Sequence, residues 1–287
     1  MRFRFIAAEK AQYPVALLCR CLRVSRSGFY AWASRGPSAR VQHDARLIAQ
    51  LRLVHADSRH TYGRPRLCRA LRARGIRVGG NRVARLMRAA GLRARGRRRF
   101  MVTTDSRHNF TIAPNRVRRR FRPRRLNQVW AADMTACRLR DGWCYLAVVL
   151  DLASRRVIGW AIHRTPGPAL AIAALTPALP RARRRAALIH HSDRGIPYAN
   201  DRFRSLLAQY RIMPSMSRAR DCWDNAPVES FFSSLKAEAS PDQPWPDLHA
   251  ATTAIREYVD FYNHRRLHST LDYQTPVAFE ARVARAV

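Results

Sequence analysis

Lysine is nearly absent from this chain. Only Lys10 and Lys236 occur in 287 residues, so almost all of the 54 basic side chains are arginine. Acids are scarce too: 19 Asp and Glu leave a net charge of 54 − 19 = +35. No apolar run approaches the roughly 20 residues that a helix needs to cross a bilayer, and Met1 to Lys10 is too charged for a secretory leader. Membrane proteins are excluded on this reading, and a soluble, cytosolic chain is expected. The six cysteines (Cys19, Cys21, Cys68, Cys137, Cys144, Cys222) contain no C-x-x-C pair, and the ten histidines do not join them at zinc-finger spacing. Neither a zinc ribbon nor a disulfide framework is indicated.

The positive charge that is present is unevenly placed. Residues 1–125 hold 33 basic and 4 acidic side chains, net +29, whereas residues 126–287 hold 21 and 15, net +6. Arginine-rich codon usage would raise the charge everywhere and does not account for this asymmetry. A field of this size points to a polyanionic partner bound through counterion release, and nucleic acid fits best.

A length of 287 residues allows two or three domains. Residues 10–33 read as a small helix-turn-helix within a first unit, 1–40. Ala16, Leu17 and Cys19 to Leu22 make an apolar face, Arg23-Val24-Ser25 a turn, and Arg26 to Tyr30 the opening of a second helix. Such a helix can enter the major groove by its N-terminal end; a hairpin that only packs is the alternative. A second helical unit, 41–95, contains three amphipathic segments, the second ending at Gly75 and the third capped by Asn81 and stopped by Gly91. Leu67, Leu71, Val83, Leu86 and Met87 form its expected core. Arg26 in the first unit and Arg64 in the second are candidate DNA contacts. Residues 96–125 are basic, Pro-punctuated and barely periodic: a linker that becomes ordered along DNA, with Phe100, Phe110 and Phe121 as anchors, or a solvated tail.

The segment 126–287 is different in kind. Around WCYLAVVLDL, three short β-rich stretches separated by Asp141-Gly142 and Ala153-Ser154 read as an antiparallel meander. Asp133 lies near its start. AALIH is a further strand, followed closely by Asp193, and with 35 residues between them Glu229 opens a helix. Asp224 or Asn225 is its expected cap, Pro227 is tolerated in its first turn, and Phe231 and Leu235 form an i,i+4 apolar pair. Lys236, about two turns after Glu229, lies on the same face. Most carboxylates are surface charges, so each acid alone means little. Together they suit phosphodiester chemistry, in which a pair of Mg²⁺ ions neutralises the phosphoryl oxygens and aids both attack and departure. Each ion is usually held by one or two carboxylates.

WAADMT, DLASRRVIGWAI, IHHSDRG, MSRARDCWDNAPVESFFSSLKAE and FYNHRRLHSTLDYQTPVAFE resemble, in order and spacing, the second-frame (OrfB) catalytic subunit of bacterial insertion-sequence transposases of the IS-three family. The resemblance covers nearly the whole chain. It implies an α/β, ribonuclease-H-like integrase core over 126–287, preceded by all-α helix-turn-helix modules. Asp133 would lie on the first strand, Asp193 just after the fourth and Glu229 on a later helix, with the DD(35)E spacing and a Lys seven residues on. It further implies Mg-dependent 3′-end cleavage and strand transfer at Asp133, Asp193 and Glu229. Two Mg²⁺ would serve each site, with Mn²⁺ as a substitute, and Lys236 and Arg218 would lie against DNA. The expected partners are element ends and target DNA, further copies of the chain, and an upstream-frame DNA-binding protein or a frameshift fusion to it; the expected place is the bacterial nucleoid. Pro177, inside the expected helix 166–180, and Pro197, close to Asp193, depart from the family's usual look. A metal-dependent nuclease or resolvase on the same fold, and a non-enzymatic DNA-binding regulator, are the alternatives.

Overall fold

A computed structural model of the protein describes residues 1–95, 110–182, 187–219, 221–239 and 243–285. At the amino terminus, helices α1 (Arg2–Glu9), α2 (Val15–Cys21) and α3 (Arg26–Ser34) close around Ile6, Leu18, Cys19 and Phe29. The expected turn is present: Arg23 adopts a left-handed conformation (φ 53°), and the Ser25 hydroxyl caps α3 by accepting from the Gly28 N–H at 3.0 Å. Helix α1 has no counterpart in the sequence reading, because eight residues are too few to set a period.

Helices α4 (Ala39–Asp57), α5 (Arg64–Ala73) and α6 (Gly80–Ala89) form the second bundle, and Leu67, Leu71, Val83, Leu86 and Met87 are all buried in it. Gly75 (φ 79°) and Gly91 (φ 68°) follow α5 and α6 in left-handed conformations that only glycine adopts without strain. Asn81 does not cap α6: the helix already starts at Gly80, with Gly79 at the cap position and no side-chain bond there. This bundle is seated on the carboxy-terminal part of the chain. The Tyr62 hydroxyl donates to the Arg265 carbonyl at 3.0 Å and accepts from the Leu267 N–H at 2.8 Å, while Arg66 Nε donates to the Leu267 carbonyl at 2.9 Å.

The described end of the basic stretch is held by protein. Phe110, Ile112 and Ala113 pack against one side of the following domain, and Val117 and Phe121 against the other. Phe100 lies outside the described residues.

That domain is built on five strands: β1 (Val129–Leu139), β2 (Gly142–Asp151), β3 (Val157–His163), β4 (Ile189–Ser192) and β5 (Met213–Met216), in the order β3-β2-β1-β4-β5. The first three form the expected meander, with Asp133 opposite Val148, and β4 and β5 run parallel to β1 and to each other. Alternation along β1 sends Trp130 and Ala132 to one face and Val129 and Ala131 to the other. Helices α7 (Pro168–Leu175), α8 (Leu179–Ala182), α9 (Ile196–Ala199) and α10 (Asp201–Gln209) cover the Trp130 face. Helices α11 (Ala226–Glu238) and α12 (Leu248–His264) cover the other through Phe231, Phe232, Leu235, Ile255 and Tyr258. Helix α13 (Pro276–Arg285) ends the described chain. This is the α/β, ribonuclease-H-like arrangement.

Both unusual prolines are accommodated. Pro177 falls in a 3₁₀ turn, Thr176–Ala178, that separates α7 from α8, and Pro197 in the first turn of α9, where a proline costs no helical hydrogen bond. Gly159 has the stricter role. A Cβ there would stand 2.1 Å from the Ala174 carbonyl oxygen, so the close seating of α7 on β3 requires glycine. No helix of the described residues is long and apolar enough to cross a membrane.

Candidate active site

Three elements deliver the acids. Asp133 lies within β1, Asp193 immediately follows the last residue of β4, and Glu229 stands in the first turn of α11. Because β4 is parallel to β1 and adjacent to it, the end of β4 emerges beside Asp133, and α11 packs directly on β1. All three side chains are half-buried.

The charges of Asp193 and Glu229 both act on Asp133. Burial pushes the Asp133 carboxyl well above the ordinary carboxylate range. The negative charge of Asp193 adds to this, and that of Glu229 adds a smaller push, whereas the Met134 N–H and the Asn225 amide pull the other way. Burial also raises Glu229. Lys236 has its pKa lowered by burial, with Cys137 and Asp133 acting against the shift, which puts the ammonium within reach of the Asp133 charge.

Local bonds orient the acids. The Met134 N–H donates to Asp133 Oδ1 at 2.8 Å, and the Gly195 N–H to Asp193 Oδ1 at 3.0 Å. A Cβ at Gly195 would come within 3.1 Å of that same oxygen. Among the described residues, no group of three or more His, Cys, Asp or Glu side chains is close enough to hold a metal ion.

The residues before Glu229 do something other than cap its helix. Neither Asp224 nor Asn225 makes a side-chain cap bond. Asn225 Nδ2 donates instead to the Ala132 carbonyl at 3.1 Å, tying the start of α11 to β1 next to Asp133. Asp224 is fully buried. Its carboxylate accepts from the Arg218 backbone N–H (2.9 Å), Arg218 Nε (3.0 Å) and Nη2 (2.9 Å), Arg119 Nε (3.0 Å) and Asn115 Nδ2 (2.8 Å). The bond from Arg218 is the main reason that its pKa is pushed far down, against the effect of burial. On the backbone side, His191 Nε2 lies 2.9 Å from the Asp224 carbonyl oxygen, which can only accept, so this nitrogen carries the proton. Nδ1 then accepts from the Ser215 hydroxyl at 2.9 Å, with the imidazole held neutral by burial. The sequence shows no sign of this network, because Asp-Asn ahead of a helix reads most simply as a cap.

Among the candidate DNA contacts, Arg218 has its guanidinium engaged with Asp224 and Asp221. Arg26 and Arg64 open α3 and α5 and are exposed. Of the other basic residues near the carboxy terminus, Arg266 is buried against Glu238, a packing role.

Two family models describing an integrase core domain match residues 123–222 and 210–276, and a model of an HTH-like domain matches residues 42–100. A protein of insertion element IS600 from Shigella sonnei is 40% identical over 266 residues, 92% of this chain and 98% of its own length. Transposase InsF of insertion sequence IS3A from Escherichia coli strain K12 is 36% identical over 283 residues, 98% of each chain. Solved structures with a similar trace include the simian T-cell lymphotropic virus intasome (18% identity, 73% of this chain and 68% of that one, TM-score 0.46). The HTLV-2 integrase catalytic core solved with magnesium (18% identity, 54% and 97%, TM-score 0.42) is another.

Proposed function

The chain belongs to the family of insertion-sequence transposases that includes the IS3 proteins, and from that premise we propose that it cuts and joins DNA with Asp133, Asp193 and Glu229 as its reactive carboxylates. The family and the integrase core make it a polynucleotidyl transferase acting on DNA. The observation that supports the residue assignment is topological: β4, which ends just before Asp193, lies parallel and adjacent to β1, which carries Asp133, and α11, which carries Glu229 in its first turn, packs on β1.

A divalent cation fits this donor set. Carboxylate oxygens are the hard ligands that Mg²⁺ takes, Mn²⁺ accepts the same ones, and a half-buried triad of acids holds negative charge that a cation offsets. Their side chains do not stand close enough to grip an ion as the structure places them, so Asp133, Asp193 and Glu229 would have to turn together to hold two Mg²⁺ ions between them, and when bound these supply Lewis-acid stabilisation of the phosphoryl oxygens. In cleavage, the oxygen of a water attacks the phosphorus, and the bond to the bridging 3′ oxygen breaks to leave a free 3′-hydroxyl. In joining, that hydroxyl attacks a target phosphodiester; one P–O bond forms as another breaks, and no covalent bond to protein is made. Lys236, on the α11 face that carries Glu229, places its ammonium against the phosphate in this scheme. Arg26 and Arg64 contact the DNA backbone and set register rather than read sequence. The enzyme works as a multimer on paired element ends, with an upstream-frame DNA-binding protein or as a fusion to it. The units 1–40, 41–95, 96–125 and 126–287 are its working divisions.

The test is a strand-transfer reaction on labelled duplexes carrying the terminal repeats that flank the gene, with Mg²⁺ or EDTA. The proposal requires products longer than the input in Mg²⁺ and none in EDTA. Shortened strands alone would replace it with a nuclease or resolvase, and intact strands bound in shifted complexes with a non-enzymatic regulator.

A further inference from the structure

The 3₁₀ turn Cys222–Asn225, which leads into α11, inverts the usual placement of residues. Its polar members are hidden and its largest apolar one is in water. Asp224 is 0% exposed and Asn225 4%, whereas Trp223 between them and Cys222 is 68% exposed. The turn is not loose. The Asp224 carboxylate is gripped by Arg218, Arg119 and Asn115, its carbonyl by His191, and the Asn225 amide by the Ala132 carbonyl. On the other side, Arg119 Nη2 donates to both oxygens of Asp221 at 2.7 and 2.6 Å. Trp223 is thus an indole presented to solvent on a backbone pinned before and after it. It lies two residues from Asn225, whose amide bears on Asp133.

An exposed tryptophan on a mobile loop would fold back onto the nearest apolar surface; here the anchors on either side hold it out. A rigid aromatic is also a low-cost contact, because little freedom remains to be lost on binding. Arg119 and Arg218, which bind Asp221 and Asp224 on either side of it, are half-exposed; those acids balance their charge locally, but the chain as a whole carries +35. An exposed, flat aromatic face on a strongly basic protein is what bases of a single strand stack on, and enzymes that reach atoms of a duplex replace the lost base stack with side chains of this kind.

We propose that Trp223 is a stacking platform for an unpaired nucleobase beside the phosphate that reacts. The identity of that phosphate rests on the reading of Asp133, Asp193 and Glu229 as the reactive centre; the stacking contact does not. Base identity is not selected, since every base has a π face. The occupant is DNA, because the turn that bears Trp223 leads directly into the helix of Glu229, past which a reacting strand must run, and the chain carries +35.

The test is equilibrium binding of the full chain, in EDTA and at one fixed salt concentration, to two probes. One is a duplex with a three-nucleotide unpaired 3′ tail carrying 2-aminopurine; the other is the same duplex with blunt ends. Wild type is expected to prefer the tailed probe and to quench its fluorescence by stacking. Trp223→Ala should lose both effects, with affinity for the tailed probe falling about 5- to 150-fold, the range that one stacked base is worth. Its affinity for the blunt probe and its thermal melt should match wild type, and Trp223→Tyr should recover most of the preference. Equal binding and quenching of the tailed probe by wild type and Trp223→Ala would overturn the proposal. So would a changed sedimentation coefficient in Trp223→Ala with probe binding intact, which would assign the indole to contact between copies. Because EDTA excludes metal-dependent cleavage, these outcomes do not depend on the fate of the carboxylate assignment, which the strand-transfer reaction tests separately.

Discussion

Replacing Arg266 by methionine should be among the most damaging changes to the catalytic domain, although Arg266 touches none of the three acids. Its guanidinium lies against Glu238 near the end of α11, with Nε donating to Oε2 at 2.8 Å and Nη2 to Oε1 at 2.7 Å, and both side chains are less than 7% exposed. The Tyr258 hydroxyl donates to Glu238 at 3.0 Å, and Nη2 also reaches the Ser234 hydroxyl at 3.2 Å. Burial alone would lower the pKa of Arg266, but the bond to Glu238 and the charges around it outweigh this and move it upward. Methionine fills much of the same volume yet leaves the Glu238 carboxylate buried with only a tyrosine hydroxyl as partner. Stranding one member of a buried ion pair costs about 3–5 kcal/mol, a large share of the roughly 5–15 kcal/mol that holds a domain together. The double variant Arg266→Met/Glu238→Leu removes both charges and should lie within about 1 kcal/mol of wild type or above it, giving a coupling energy of at least about 2 kcal/mol. Urea unfolding of wild type, both single variants and the double variant, followed by far-ultraviolet circular dichroism at fixed salt, measures the cycle. A loss below about 1 kcal/mol for Arg266→Met would refute the reasoning, since it would mean that water reaches the pair.

Other changes test other contacts. Gly159→Ala places a methyl 2.1 Å from the Ala174 carbonyl oxygen, and displacing α7 should cost about 3 kcal/mol or more, read as insoluble protein or a lowered urea midpoint. His190 is buried against Tyr198 and Phe203, and its pKa is lowered to about 3, by burial first. Its folded form stays neutral while the unfolded chain gains a proton below about pH 6.5, so wild type should lose stability relative to His190→Leu as pH falls. The loss is about 1.4 kcal/mol per pH unit, or roughly 2 kcal/mol between pH 6.5 and 5. Parallel stability curves for the two proteins across that range would show that the imidazole is hydrated. Arg64→Ala should weaken binding to any duplex about equally and reduce the slope of log affinity against log salt by about 0.9; an unchanged slope would remove Arg64 from the DNA contacts.

Much of this architecture is legible before folding, for a physical reason. The turn-bounded β-rich stretches of the meander and the five apolar positions of the second bundle are local signals, and local signals survive in sequence. The five ordered motifs around Asp133, Asp193 and Glu229 carry the family. What stays hidden is long-range polar pairing. Nothing near Glu238 announces Arg266, 28 residues on, and nothing near Asp224 announces Arg119, 105 residues back. The same blindness makes Asp224 and Asn225 read as helix caps and hides the pairing of Arg218 with Asp221 and Asp224: short-range rules assign the nearest role, and the fold supplied a more distant partner. The basic stretch hides its protein contacts in the same way. Its arginines suggest a strand-following linker, yet Val117 is buried and Asn115 and Arg119 bind the turn before α11.

The central claim is that Asp133, Asp193 and Glu229 act as one unit in cutting and joining DNA, and single amide substitutions measure it most directly. In Asp133→Asn, Asp193→Asn and Glu229→Gln, each assayed on the same terminal-repeat duplex in Mg²⁺, cleavage and strand transfer should both disappear, while the shifted protein–DNA complex forms at wild-type concentrations. A variant of this set that still joins strands at a rate near wild type would contradict the claim.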